Sequence, residues 1–445
     1  MSAIARVMLE MGYRVSGSDV ARQELTEKLA AKGAKVFIGH DEKNVEGADL
    51  VVYSTALPQD NVEIQAAKRL NIPLIHRSQM LARLMEARKG VAVAGAHGKT
   101  TTSSMIALIM ERCGLDPTYI IGGEIVNLGS NAKAGSGEYV VFEADESDGS
   151  FLHYSPTIAL VTNIEADHLE NYDGDFSKLK NAYVRFLNQV KGGGKAVLCL
   201  DDPHLNELSG KLEQETITYG IASRADVTAQ DIQLGDRKSS FQLVDRGKQM
   251  GRVELSVPGK HNVVNALAAY VVCREAGLTF AQFRDAVRLF QGAKRRFQVI
   301  GEFNDIMIVD DYAHHPTEIQ ATLQAAKTTG KRIVAVFQPQ RYTRTYFLLD
   351  QFSRAFHDAD QVIITDIYSP AGEKQIEGVS SRKLADLIAE NSNPDVLYMP
   401  RKEDVEEYLA EKIRAGDLVL TMGAGDIWKT AKGLAEKLKA RMEVK

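Results

Sequence analysis

The stretch "GVAVAGAHGKTTTSSM", residues 90–105, decides how the rest of the chain is read. An apolar run, Val91–Ala94, leads into Gly95-Ala96-His97-Gly98 and then into Lys99, Thr100 and Thr101. Met105, Ile106, Leu108 and Ile109 follow at helical spacing, which predicts a strand, a loop and a helix from about Thr101. Main-chain N–H groups at a helix start, aided by the helix dipole, suit phosphate oxygens. Lys99 can set its ammonium on a transferring phosphate, and the Thr100 hydroxyl can ligate Mg²⁺. The common P-loop has four residues between its glycines, whereas only Ala96 and His97 stand here, and Val93 occupies the place of the first glycine. The stretch therefore predicts a nucleotide triphosphate site of another kind. His97 either lines the nucleotide or shapes the turn.

The chain has 445 residues, too many for one ordinary core, and suggests about three domains. A net charge of −5 argues against a general nucleic-acid binder or a binder of anionic membranes. Cys113, Cys199 and Cys273 are far apart and lack metal-ligand spacing, so they read as buried, reduced thiols in a cytoplasmic setting. No apolar run approaches the ~18 residues of a membrane span. The opening "MSAIARVMLEMGYRVSG" lacks the basic region and cleavage site of a signal peptide.

Short β-like runs alternate with helical patterns, which predicts α/β layers. In residues 1–87 we expect a helix over Ser2–Met11, a strand over Arg14–Ser16, a helix near Arg22–Lys32, and strands over Lys35–Ile38 and Asp49–Ser54. Asp19, just past the strand over 14–16, either meets a ribose or base or is a solvated turn residue. Residues 88–291 carry strands over 90–94, 139–144, 158–164 and 196–200, a β-rich excursion over 201–258, and a helix for which Asn262 is the N-cap and Gly277 the C′ residue. Residues 292–445 continue with "IMIVDD", "RIVAVFQ", "QVIITDI", "DVLYM" and "DLVLTM", each a strand followed by a helix.

Several strand ends carry chemistry. Glu143 closes an apolar strand beside the phosphate loop and is placed to hold Mg²⁺, while Asp145, Glu146 and Asp148 read in part as a solvated acidic loop. Asn163, Asp167 and His168 stand past the next strand; His168 is read evenly as a ligand or a structural histidine. In "VDDYAHHPTE", Asp310, Asp311, Tyr312, His314 and His315 form either a metal site or an N-capped loop facing a ligand, with Pro316 in the first helical turn. Arg341 and Arg344 can fork onto a carboxylate or phosphate, or are surface charge. The glycine loop of "GAGDIW", 423–428, is too short to count as a dinucleotide fingerprint.

Together "GAHGKTTT", "FEADESDGSF", "TNIEADHLENY", "PGKHNVVNALAA", "AKRRFQ", "DDYAHHPTE", "FQPQRYTRT" and "DIYSPAGEKQIEGV" resemble, in order and along nearly the whole chain, the ATP-dependent Mur ligases of peptidoglycan synthesis. The resemblance implies three α/β domains: a Rossmann-like UDP-substrate domain over 1–87, a central P-loop ATPase domain with a mixed sheet over 88–291, and a Rossmann-like C-terminal domain over 292–445. It is nearest to the alanine-adding branch. It implies that ATP phosphorylates the lactyl carboxylate of UDP-N-acetylmuramic acid and that L-alanine attacks the acyl phosphate, releasing ADP and phosphate. By the same resemblance Gly95, Ala96, His97, Gly98, Lys99, Thr100 and Thr101 cradle ATP, and Thr100, Glu143 and His168 surround Mg²⁺. Asn262, Arg296 and Asp311 approach the nucleotide. Asp19, Tyr312, His314, Arg341 and Arg344 meet substrate, with Arg341 or Arg344 on the alanine carboxylate. Lys99, Glu143, His168, Arg341 and Arg344 are the implied catalytic groups, in a monomer or homodimer with no nucleic-acid partner and no membrane span.

Three positions depart from the family pattern. Its first strand and glycine loop would precede Met1. Gln340 stands where the family usually has histidine. Tyr183 stands where sister ligases carry a carbamylated lysine, so no carbamate is expected, although Lys180 lies close by in sequence. The competing activities are a sister ligase that attaches a ready-made tripeptide and a non-catalytic nucleotide-binding relative.

Overall fold

The computed structural model describes residues 1–235, 237–369 and 373–443. The chain divides into two compact units. One comprises Met1–Asp231, Gln242–Val253 and Val264–Phe290, the other Ile232–Phe241, Glu254–Val263 and Gln291–Lys445.

The first unit opens with α1 (Ser2–Glu10), β1 (Ser16–Asp19), α2 (Glu24–Ala31), β2 (Lys35–Ile38), β3 (Val51–Tyr53), α3 (Val62–Arg69), β4 (Leu74–His76) and α4 (Arg77–Glu86). β1 pairs in parallel with β2, and β3 with β4, as two separate sheets. The first strand thus lies later than its predicted 14–16. Pairing of Ser16 with Lys35 through Asp19 with Ile38 sets its bounds, and Asp19 closes the strand instead of following it.

β5 (Lys89–Ala94), α5 (Lys99–Arg112), β6 (Thr118–Ile125), β7 (Ser130–Lys133), β8 (Tyr139–Glu143) and β9 (Ile158–Val161) come next. They are followed by α6 (Phe176–Asn188), β10 (Lys195–Cys199), α7 (Pro203–Ser209) and β11 (Thr216–Gly220). Their sheet runs β11-β10-β9-β5-β8-β6-β7, parallel except for the β6–β7 pair. From β5 the chain passes to β6 and β7 on one side, returns to β8, and then crosses to β9 on the other. Strand order therefore reverses at β5, and a crevice opens past the carboxyl end of such a strand. β12 (Val227–Gly235), β13 (Lys238–Asp245) and β14 (Lys248–Leu255) continue the order, with their residues shared between the units. α8 (Lys260–Glu275) and α9 (Phe280–Val287) follow.

Two expectations are corrected here. α8 begins at Lys260, so Asn262 is not its N-cap. It lies inside the first turn and donates from Nδ2 to the Pro258 carbonyl at 2.6 Å. Gly277 does take the C′ conformation, at φ +88°, donating to the Arg274 carbonyl. Cys199 and Cys273 are buried but Cys113 is only partly so, because it ends α5.

The second unit holds β15 (Gln298–Phe303), β16 (Ile306–Asp311), α10 (Pro316–Lys327), β17 (Arg332–Phe337), α11 (Tyr342–Phe347), α12 (Leu349–Ser353) and β18 (Gln361–Ile364). α13 (Ser381–Asn391), β19 (Val396–Tyr398), α14 (Lys402–Lys412), β20 (Asp417–Met422) and α15 (Trp428–Glu443) complete it. The sheet order is β15-β16-β20-β17-β18-β19, with only β15 antiparallel. Alternate residues supply two cores: Met307, Val309, Ala335, Phe337 and Leu420 on one face, Ile308, Val334, Val336 and Val419 on the other. Among the described residues no helix is long and apolar enough to cross a membrane.

Candidate nucleotide site and a second polar cluster

Residues 95–98 join β5 to α5 at the point where strand order reverses. The loop needs glycine at both ends. Gly95 has φ +128°, and a Cβ there would lie 2.2 Å from Thr162 Oγ1; Gly98 has φ +82°, and its Cβ would lie 2.8 Å from Asn265 Oδ1. Gly98 serves as the N-cap, so α5 starts at Lys99, two residues before the predicted start. The helix is packed almost all round, with Met105, Ile106, Leu108 and Ile109 fully buried.

Side chains outside the loop hold its backbone. Asn163 Oδ1 accepts from His97 N at 2.8 Å, and Asn163 Nδ2 donates to His97 O at 3.0 Å. Thr162 Oγ1 donates to the same carbonyl at 2.5 Å, and Ala96 N donates to the Asn163 carbonyl at 3.2 Å. The His97 ring turns to Glu165, with Nε2 3.1 Å from Oε2. Thr102 Oγ1 donates to Asn265 Oδ1 at 3.2 Å, fixing α8 against the start of α5.

Lys99 Nζ donates to both oxygens of Glu146, at 2.9 and 3.0 Å, and to the carbonyls of Gly95 and Ala96. Burial works against the ammonium, but Glu146, with Glu143 and Asp145 behind it, more than offsets this and holds the lysine charged. Burial pushes the Glu146 carboxyl up, opposed by Lys99. Glu146 is 6% exposed, so it is no part of a solvated loop; "DES" hides one buried acid among half-buried neighbours. Asp145, by contrast, lies at about 2. Burial is outweighed there by hydrogen bonds from Ser147 and Arg77, the latter at 2.5 Å.

Thr100 Oγ1 donates to Glu143 Oε2 at 3.1 Å, and Gly122 N donates to Glu143 Oε1 at 2.6 Å. A hydroxyl and a carboxylate so placed match the oxygen donors Mg²⁺ takes. His168, at φ +56°, has its ring nitrogens 3.5 Å from Asp167 and 3.7 Å from Glu170. Thr101 lies half-buried in the first turn of α5. Tyr183 is buried edge-on to Phe151, while Lys180 lies 3.5 Å from Glu207. In β1, Asp19 Oδ1 accepts from Ala21 N at 3.2 Å, the geometry of a turn.

In the second unit the polar cluster gathers at the carboxyl ends of β16, β17 and β20. Asp311 is 6% exposed and accepts from Phe297 N and Ala313 N, both at 2.7 Å. Burial lifts its carboxyl to about 6 against the pull of Arg296. The Tyr312 ring lies 4.9 Å from the Arg295 guanidinium and 5.2 Å from that of Arg296. The paired histidines make an N-capped loop. Glu318 Oε2 accepts from His314 N at 2.9 Å and His315 N at 3.3 Å, and His315 is the cap before Pro316. Burial lowers the His314 pKa, Glu318 opposes it, and the Arg344 charge adds to the lowering.

Arg344 is 7% exposed, which removes the surface-charge reading for it, and Nη1 donates to Gln340 Oε1 at 2.9 Å. Arg341 is less buried, has φ +68°, and donates from its backbone to Tyr368 O at 2.9 Å. Arg295 went unnoticed in the sequence. It donates to Asp310 at 3.0 Å and to the carbonyls of Gly423 and Gly425, so the "GAGD" loop is a structural partner of β16. Of "DIYSPAGEKQIEGV", residues 370–372 lie outside the described residues.

Three family models match in order. "Mur ligase family, catalytic domain" matches residues 1–89, "Mur ligase middle domain" 93–273, and "Mur ligase, glutamate ligase domain" 295–425. A UDP-N-acetylmuramate–L-alanine ligase of Pelotomaculum thermopropionicum is 49% identical over 446 residues, covering 100% of this chain and 96% of the relative. Its namesake in Desulforamulus reducens is 50% identical over 445 residues, covering 99% and 96%. The crystal structure of a UDP-N-acetylmuramate-alanine ligase from Thermotoga maritima superposes with a TM-score of 0.84 at 28% identity, covering 99% and 97%. A murein peptide ligase from Psychrobacter arcticus gives a TM-score of 0.71 at 25% identity, covering 98% and 96%.

Proposed function

The chain belongs to the Mur ligase family, and from that premise we propose that it joins L-alanine to the lactyl carboxylate of UDP-N-acetylmuramic acid, using ATP. The observation that carries this reading is the near-complete match, at about half identity, to alanine ligases. A carboxylate resists attack by an amine until one oxygen becomes a leaving group. Phosphoryl transfer from ATP makes that group, and the alanine nitrogen then displaces phosphate from the acyl carbon to leave an amide. ADP and phosphate are the other products.

The placements of Lys99, Thr100, Glu143 and Arg344 support their proposed roles, and the other roles come from the family resemblance. Lys99 and the N–H groups opening α5 bind the transferring phosphate and stabilise its charge. Thr100 and Glu143 would hold one Mg²⁺, and His168 is assigned to a second; the ions would neutralise phosphate charge. Arg344, buried and oriented by Gln340, is assigned to the alanine carboxylate, and Arg341 to the reacting phosphate. Asp19 is assigned to the uridine end of the substrate. Domain boundaries at 87–88 and 291–292 are part of this reading.

Phosphate release, measured with ATP, UDP-N-acetylmuramic acid and either L-alanine or the murein tripeptide, tests it. Saturable release is expected with L-alanine. Release with the tripeptide alone would transfer the chain to the recycling activity, and none with either would favour a non-catalytic nucleotide binder.

A further inference from the structure

We propose that Glu146 is a positioning residue for Lys99: its carboxylate holds the ammonium until nucleotide phosphate displaces it, and so sets the affinity of the loop for nucleotide. The inference rests on the reading of residues 95–101 as a nucleotide loop, and goes beyond it by giving a role to an acid outside that loop.

Glu146 Oε1 and Oε2 lie 2.9 and 3.0 Å from Lys99 Nζ, and the side chains are 8% and 18% exposed. Such a pair is worth more than a surface pair because little water screens it. A phosphate group brings negative charge to the same ammonium, so the two anions compete. The backbone that carries the carboxylate is held in place. Glu146 O accepts from the Tyr172 hydroxyl at 2.5 Å and from Gly149 N at 3.0 Å. Asn171 Nδ2 donates to Ser147 O at 2.7 Å, and Arg77 anchors Asp145 on the other side. Release therefore falls to the flexible lysine, whose stem can swing from Glu146 toward a phosphate. The wild-type chain gives up one charge-assisted contact for each lysine–phosphate contact it gains.

The consequence has a sign that a structural role lacks. Glu146→Gln keeps shape and one acceptor but removes the competing charge, so the nucleotide loop should bind phosphate more tightly. Titration calorimetry with the full chain, using Mg·ADP and the β,γ-imido analogue of ATP, is expected to show about tenfold tighter binding, or about 1.4 kcal/mol. AMP, which lacks the phosphates the lysine would meet, should bind unchanged. In the Lys99→Met background the substitution should have no effect on affinity. Weaker or unchanged binding of the triphosphate analogue to a folded Glu146→Gln chain would overturn the proposal. An equal gain in the Lys99→Met background would do so too. If Glu146→Gln melts early, Glu146→Asp, which shortens the reach and keeps the charge, should weaken the latch in the same direction. Wild-type chain that binds neither probe would refute the nucleotide reading itself, whatever the variants do.

Discussion

Replacing Lys99 with methionine should do more than stop turnover, because the lysine is also the cation of a buried pair. Glu146 keeps an 8% exposed side chain, and Lys99 is its ion-pair partner. Removing one member of a buried pair costs about 3–5 kcal/mol, since the other charge is left without compensation. The carboxyl can escape part of this by taking a proton. Burial already raises its pKa and Lys99 opposes the rise, so deleting the lysine raises it further. For an acid whose folded pKa exceeds its unfolded value, the penalty is absent below the unfolded value, grows as pH rises, and is complete above the folded one. The deficit of Lys99→Met should therefore be small near pH 4.5 and largest near pH 8. At ~2–4 °C per kcal/mol for a unit of this order of size, a loss of ~3 kcal/mol lowers the melting transition by ~6–12 °C. Thermal melts without nucleotide at both pH values, beside the double variant Lys99→Met/Glu146→Gln, make the measurement. The double variant should regain most of the loss at pH 8. A deficit independent of pH, or one the double variant does not relieve, would refute the electrostatic reasoning and leave only lost packing of the lysine stem.

Gly95→Ala forces a Cβ to within 2.2 Å of Thr162 Oγ1 at φ +128°, so we expect at least ~2 kcal/mol of destabilisation and loss of Mg·ADP binding by calorimetry; unchanged binding would contradict the loop geometry. Asp311 is lifted from 3.8 to about 6, a gap worth up to ~3 kcal/mol. Relative to Asp311→Asn, wild-type stability should fall as pH rises from about 4 to 6 and stay level outside that window, a slope readable by thermal melts whatever constant offset the amide introduces. Arg344→Lys should raise the KM for L-alanine by roughly 10–100-fold with the KM for ATP nearly unchanged, because a bidentate contact becomes a point contact. Arg341→Lys should not raise the alanine KM comparably, and the reverse pattern would exchange their roles.

The alternation of strands and helices was legible because β5, β8, β9, β16, β17 and β20 are continuous apolar runs, as strands buried on both faces must be. β6 and β15 were not. β6 contains Gly122 and Gly123, and β15 is a half-exposed edge strand with a register shift at Val299/Gly301, so neither has a clean apolar period. In the candidate site, the residues found from sequence were those whose chemistry is local: Lys99 and Thr100 at a helix start, Glu143 at a strand end. Asn265 and Arg295 are not singled out by the sequence, and Glu146 reads there as partly solvated, because their partners lie 163, 130 and 47 residues away. Burial separates Glu146 from Asp145, and nothing in "DES" signals it. For Asn265 the sequence does carry a signal: two asparagines three residues apart in "NVVN" share a helix face, and the cap reading of Asn262 masks it.

The short spacer that marks the loop has a physical counterpart in who holds it. A longer phosphate loop can wrap its ligand with its own backbone. Here only Ala96 and His97 lie between the glycines, and both peptide groups of His97 are engaged by Asn163, with Thr162 adding a bond to its carbonyl. Thr162 and Asn163 follow β9, the strand beside β5, and Asn265 closes the other end from α8. The loop is therefore fixed by its neighbours rather than by its length, and the N–H groups opening α5 are aimed before any nucleotide arrives. Pre-aimed donors need no reorganisation when phosphate charge develops. Lys99 meets that phosphate already engaged by a counter-charge, which makes its exchange between Glu146 and phosphate an adjustable step in nucleotide binding.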